Sequence, residues 1–274
     1  MANVLRFDVQ VAVVTALIEG NSTRSVERMT RVHRDTITRL GVRVGEACAA
    51  MMDREMRDLE CERIQVDEIW GFVAKKQKHV LPTDDISLVG DQWTWVAIDA
   101  DTKIVPSHLV GKRDGAHARA FICDLASRLK NRVQISSDAL ASYVEAIEVG
   151  FGGDVDYGQL VKVYAATTEG PARYSPPKIM QATKNVIVGH PRHEHICTSY
   201  VERQNLTMRM AMRRLTRLTN AFSKKVENLR AAVALHFAYY NYCRRHLTLK
   251  TAPAIAAGLT DRRWTVSDLL DLSN

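Results

Sequence analysis

Cysteine is scarce in this chain and nowhere arranged to hold anything. Five are present in 274 residues, Cys48, Cys61, Cys123, Cys197 and Cys243, an odd number at wide intervals with no C-x-x-C pair. This spacing argues against a disulfide framework or a cysteine-based zinc site and predicts buried, reduced thiols. Long apolar runs are missing too. The longest early one, Val11 to Ile18 with Thr15 inside it, is far too short to cross a bilayer, and no basic-then-apolar leader opens the chain. A soluble cytoplasmic protein with no membrane partner is the expectation. No G-x-x-x-x-G-K-[ST] occurs, so ATP use is not indicated, and Gly150, Gly152 and Gly153 read as helix breakers rather than a phosphate cradle.

What is present describes a globular chain with one large domain and one small one. Hydrophobic residues make up 46% and charged residues 25%, enough to build a substantial core without staples. The net charge of +7 suits a polyanionic partner, and its placement says more than its size. Between Met208 and Lys225 the charged residues are Arg209, Arg213, Arg214, Arg217, Lys224 and Lys225, with no acid among them.

The first 55 residues read as a small all-α domain. Gly20 ends a first apolar-rich helix, Asn21 or Ser22 caps a second, and Val26, Met29, Val32, Ile37 and Leu40 recur at spacings that bury two short helices against the first. This is the pattern of a helix-turn-helix. Its reading helix would begin near His33 and present Arg34, Asp35, Thr36 and Arg39 to bases; the same pattern also suits a plain helical bundle that joins protomers. After an acidic connector, residues 56–274 change period. R-I-Q-V-D-E-I-W-G-F-V (63–73) is a strand, 93–112 reads as two strands turning at Asp99 to Lys103, 116–129 is a helix, and V-Q-I-S-S-D is a strand ending at Asp138. The expected class is α/β, a mixed sheet with flanking helices, carrying an insertion at about 150–197 in which V-K-V-Y and N-V-I-V-G are strands. Beyond Thr198 the chain reads as mostly helical.

Two carboxylates stand where strands should be apolar. Asp67 sits among Val66, Ile69 and Trp70, and burying it costs on the order of several kcal/mol unless a cation or hydrogen bonds compensate. If its strand and the one ending at Asp138 lie side by side, both acids meet at one point, and an all-oxygen site favours magnesium or manganese. Alternatively each Asp caps a helix or occupies a turn, a strong reading for Asp138 before A-L-A-S. On a helix starting near Ser199, Glu202, Asn205, Leu206 and Arg209 share one face, while Val201, Met208, Met212 and Leu215 form a buried stripe. Glu202 is then placed to become a third ligand while Arg209 meets the adjoining phosphate; taken alone it is an ordinary acid in a helix's first turn.

Other residues read more plainly. Strand alternation turns Glu68 away from Asp67, so only one of the two can face a metal, and Glu68 is free to pair with a base. Asp99 and Asp101 look like turn residues. His190, His193 and His195 fit no standard zinc spacing. Tyr239, Tyr240 and Tyr242 suit packing, with Arg244 and Arg245 left for phosphate.

V-D-E-I-W near the start of the sheet, S-S-D-A-L after the fourth strand, and T-S-Y-V-E-R-Q-N-L-T-M-R-M followed by R-R-L-T-R-L-T-N-A-F-S-K-K resemble the insertion-sequence-one type transposases. The tail Y-Y-N-Y-C-R-R-H-L-T-L-K-T-A-P-A-I-A-A-G-L is similar as well. The resemblance implies a bacterial Asp-Asp-Glu recombinase with an RNase H-like core, working at the nucleoid. Asp67, Asp138 and Glu202 would be its catalytic and metal-binding triad, holding two Mg2+ or Mn2+ ions. Terminal inverted repeats and target DNA would be gripped by Arg34, Thr36, Arg39, Arg209, Arg213, Arg214, Arg217, Lys224 and Lys225, in a homo-oligomer that joins two ends. Better-known members carry a zinc finger ahead of the helix-turn-helix, and no cysteine pair here can build one. The long interval from Asp138 to Glu202 fits an insertion. The alternatives are a nuclease that stops at hydrolysis, and a relic that only binds DNA.

Overall fold

The computed structural model describes residues 5–165, 179–216 and 219–273. Three helices come first: α1 (Phe7–Ile18), α2 (Thr23–Thr30) and α3 (Arg34–Glu55). Their punctuation is the one read from the sequence. Gly20 takes a positive φ of 76° after α1, and the Ser22 side chain accepts from the Ser25 N–H to cap α2. The turn into α3 passes through Arg31 in the left-handed region, and His33 caps α3. The acidic connector M-M-D-R-E-M-R-D-L-E (51–60) is divided: Met51 to Glu55 are the end of α3, which runs unbroken for 22 residues, and Met56 to Glu60 lead from it to the sheet.

Six strands follow, β1 (Arg63–Val73), β2 (Gly90–Asp99), β3 (His108–Gly111), β4 (Val133–Ser137), β5 (Val155–Tyr164) and β6 (Ile179–Val188). They form one mixed sheet in the order β3-β2-β1-β4-β5-β6. β1 pairs antiparallel with β2 and parallel with β4; β4 pairs parallel with β5, and β2–β3 and β5–β6 are antiparallel. The arrangement is compatible with an RNase H-like fold. The stretch read as an insertion thus adds two strands to the sheet; its residues 166–178 lie outside the described ones. β3 begins later than the sequence pattern suggests, because Pro106 has no N–H to offer a ladder. Instead the Asn241 side chain meets both the N–H and the C=O of Val105, at 3.0 and 3.1 Å.

Helices cover both faces. α4 (Gly115–Ala126) and α5 (Ser142–Phe151) pack Phe121 and Tyr143 against Trp95 of β2. α6 (Ser199–Ala211) lies over β1 with Val201 and Met208 buried, and the helix stops short of the rest of the stripe read from the sequence: Met212 caps it and Leu215 is buried in the 3-10 turn that follows. α7 (Val226–Ala238) packs along α3 and continues into a π turn, Tyr239–Cys243, whose Tyr240 and Tyr242 are buried; α8 (Pro253–Ala256) and α9 (Val266–Asp271) finish the chain. One continuous core links Val13, Val26 and Ile37 of the first helices to the sheet and to Phe237. Cys48, Cys61 and Cys243 are buried as expected, but Cys123 is exposed and Cys197 partly so, since both lie on outward positions.

The closest approach of α3 to α7 is at Gly45, where an added Cβ would stand 2.1 Å from the Ala231 carbonyl oxygen. Gly45→Ala should therefore lower the urea unfolding free energy by about 1–3 kcal/mol. Gly115, at the start of α4, has nothing within 4 Å of its added Cβ, so Gly115→Ala should raise it by about 0.5 kcal/mol.

Candidate metal centre

The register of the two central parallel strands brings the aspartates together. Gln65 of β1 pairs with Ser136 of β4, so two residues further on Asp67 and Asp138 stand abreast. One carboxylate oxygen from each lies within 4.8 Å of the other and of an oxygen of Glu68. Each acid is tethered by a different part of the fold. Asp67 Oδ2 accepts from the Asn205 amide of α6 at 2.8 Å. Glu68 accepts from the Arg113 guanidinium at 2.6 Å and from the Tyr143 hydroxyl of α5 at 3.0 Å. Asp138 Oδ1 accepts from the Leu140 N–H at 2.9 Å, the turn that its position suggested, and its other oxygen makes no hydrogen bond among the described residues.

Glu68 corrects one expectation. Its partners do lie on the face opposite to those of Asp67, as alternation requires, and it does pair with a base. Yet a glutamate is long enough to bring an oxygen back to the strand end where Asp138 sits, so both neighbours serve one point. Glu202 stands outside this group. It is exposed on α6, where its carboxylate accepts from Thr198 Oγ1 and from Lys162 Nζ of β5. One helical turn on, Asn205 reaches Asp67, so α6 addresses the centre through the face predicted for it.

Burial pushes the Asp67 carboxyl up to about 7; the charges of Glu68 and Asp138 push the same way, against the Glu68 peptide N–H and Asn205. Burial also raises Glu68, with Asp138 adding and Arg113 and Tyr143 opposing. Three acids facing a single guanidinium leave negative charge uncompensated. Beside them Asn205 Oδ1 is buried with no hydrogen-bond partner. An all-oxygen donor set with an orphaned carbonyl oxygen next to it fits a hard divalent cation.

The cations read from the sequence fall into three groups. Arg34, Arg39, Arg213, Lys224 and Lys225 are exposed and Thr36 is half-buried. Arg209 and Arg214 turn inward, one donating to the Leu215 carbonyl and the other to Ser223 Oγ, and burial lowers the Arg214 pKa. Arg217 lies outside the described residues. His195 shares its Nδ1 with the Arg63 guanidinium at 3.2 Å, and none of His190, His193 and His195 joins a metal-competent group among the described residues. Asp101 is a turn residue bound to Arg63, while Asp99 is the buried last residue of β2 and accepts from the Thr102 N–H in the turn that follows.

No protein-family model and no curated protein matches the chain. Among solved structures it is similar to a chain of the Mos1 transposase paired-end complex with left transposon end, at 13% identity over 54% of this chain and with a TM-score of 0.23. The match spans 58% of that chain's length, and a superposition at that score carries no argument about activity. No helix among the described residues is long and apolar enough to cross a membrane.

The raised Asp67 pKa fixes a pH dependence. Between its ordinary value of 3.8 and about 7, the native state holds a proton that the unfolded chain has released, so stability falls as pH rises through that window. In chelator, unfolding free energy should drop by an amount on the order of 4 kcal/mol from pH 4 to pH 8 through this group. Asp67→Asn should flatten the slope, and millimolar magnesium should restore stability at pH 8 in the parent chain only. A flat profile in the parent chain would contradict the burial argument.

Proposed function

We propose that the chain is a DNA transposase of the Asp-Asp-Glu type, with Asp67, Asp138 and Glu202 as its metal-binding carboxylates. The observation that carries the reading is the convergence of Asp67 and Asp138 from neighbouring parallel strands of a β3-β2-β1-β4-β5-β6 sheet. α6, which carries Glu202 in its first turn and Arg209 in its last and lies beside them, supports it. Magnesium or manganese held there would supply Lewis acidity to the attacking and leaving oxygens of an in-line phosphoryl displacement, chemistry that needs no protein nucleophile. Asp67 and Asp138 are the fixed ligands, oriented by Asn205 and by the Leu140 N–H. Glu68 is already matched by Arg113 and Tyr143, which makes it a charge-balancing neighbour. Glu202, next on the helix to the residue that holds Asp67, is the mobile third carboxylate, parked on Lys162 until DNA phosphate takes the lysine.

The surrounding cations fit a duplex partner. Arg213, Lys224 and Lys225 are exposed, the last two following Ser223, which bridges to Val73 at the end of β1, and Arg34, Thr36 and Arg39 give the first helices a surface for the element's ends. Cutting and joining two ends together calls for at least a dimer.

The test is strand transfer by the purified protein on a labelled duplex from its gene's own flanks, with a supercoiled target and magnesium or manganese. Metal-dependent cutting and joining is expected, and Asp67→Asn, Asp138→Asn and Glu202→Gln should each reduce it about a thousandfold, the loss of several kcal/mol of transition-state stabilisation. Glu68→Gln should retain a measurable share. Full activity in Glu202→Gln would move the third role to Glu68, and cutting without joining would make the protein a nuclease.

A further inference from the structure

Beside the carboxylates the sheet carries a shelf of aromatic rings that the core does not cover. Glu68, Trp70 and Phe72 share one face of β1, and the register sets Trp93 of β2 directly across from Trp70. Towards Glu68 this face is closed by Phe121 and Tyr143, which pack on the fully buried Trp95. Past that point Trp70, Phe72 and Trp93 are only half-buried. Phe72 lies 5.8 Å from Trp70 and 4.8 Å from Phe222, ring centre to ring centre, so Phe222 backs the far end of the shelf. The Arg113 guanidinium sits over the Trp93 ring at 4.9 Å and is 39% exposed, while it also holds Glu68. One side chain therefore ties the shelf to the acid cluster.

Aromatic side chains left half-exposed on a sheet need a reason, and their surroundings supply one. Cations stand at the shelf's edges, Arg113 on one side and Lys224 and Lys225, just after Phe222, exposed on the other, while the half-buried Asp91 is set across from Phe72 by the strand register. Rings with cations at their edge suit a nucleobase, which stacks by its flat face while its phosphate meets the cation. Trp70 is two residues beyond Glu68, about 7 Å along the strand, close to the step between one nucleotide and the next. We propose that Trp70, backed by Phe72 and Phe222 and edged by Arg113, is a stacking platform for an unpaired DNA base next to the phosphate held at the carboxylates. The inference rests on the DNA-processing reading above and adds to it the state of the substrate: the duplex is opened at the site of reaction, not taken fully paired.

Binding measured without metal separates this from the chemistry. Full-length protein carrying Asp138→Asn is titrated, in chelator, with two duplexes of one sequence, the first blunt and the second ending in a short run of unpaired thymidines. The tailed duplex should bind about tenfold tighter and quench tryptophan emission, in line with the stacking of a base on an aromatic ring. Trp70→Ala should lose both the preference and the additional quenching while binding the blunt duplex as before. Trp70→Phe should keep the preference but lose most of the quenching, since a ring remains and the fluorophore does not. Equal affinity for the two duplexes, a preference that survives Trp70→Ala, or a Trp70→Ala variant weakened equally on both would overturn the proposal. Tail preference without strand transfer in the parent chain would overturn only the transposase reading, and strand transfer without tail preference only this one.

Discussion

Three carboxylates brought together at the edge of an apolar core set the terms for the rest of the molecule. Like charges within 4.8 Å of one another, partly cut off from water, repel strongly unless each is held and the sum is balanced. The chain holds them from three directions. α6 supplies Asn205 for Asp67, α5 and the segment before α4 supply Tyr143 and Arg113 for Glu68, and the turn after β4 supplies the Leu140 N–H for Asp138. Both helical layers are thus fastened to the sheet at the place where its electrostatic cost is greatest. The elements that make the fold and the elements that make the site are the same ones.

How much of this was legible in the sequence follows from the range over which each signal acts. Asp67 stood out because a charged residue inside a β-branched, aromatic strand breaks a local pattern, and local patterns are what a sequence displays. The buried positions Val201, Met208, Met212 and Leu215 were legible for the same reason, although α6 itself ends at Ala211. The partners of Glu68 were not: Arg113 and Tyr143 lie 45 and 75 residues from it and nothing in their own neighbourhoods marks them, whereas Asn205, 138 residues from Asp67, shows only as a member of the Glu202 face of its helix. Glu68 was misjudged by a rule that is right about direction and silent about reach. The length of α3 was hidden differently. Gly41 and Gly45 lie inside it and weaken the helical pattern, yet Gly45 is there because Ala231 of α7 comes too close for a side chain.

The near and far fields of this protein point in opposite directions, and that contrast argues for the ion and for the partner together. At a distance the net charge of +7 draws a polyanion in, and the exposed Arg213, Lys224 and Lys225 give it a surface to settle on. Within a few ångströms of Asp67 the sign reverses, because one guanidinium faces three carboxylates. On the proposed reading, a phosphate drawn in by the outer field would meet that reversed sign at the centre. On that reading a divalent cation would answer both problems at once, offsetting the burial and the like charges that raise Asp67 and offering positive charge to the phosphate. A purely structural acid cluster would instead have been neutralised by the chain's own bases, of which this sequence has a surplus.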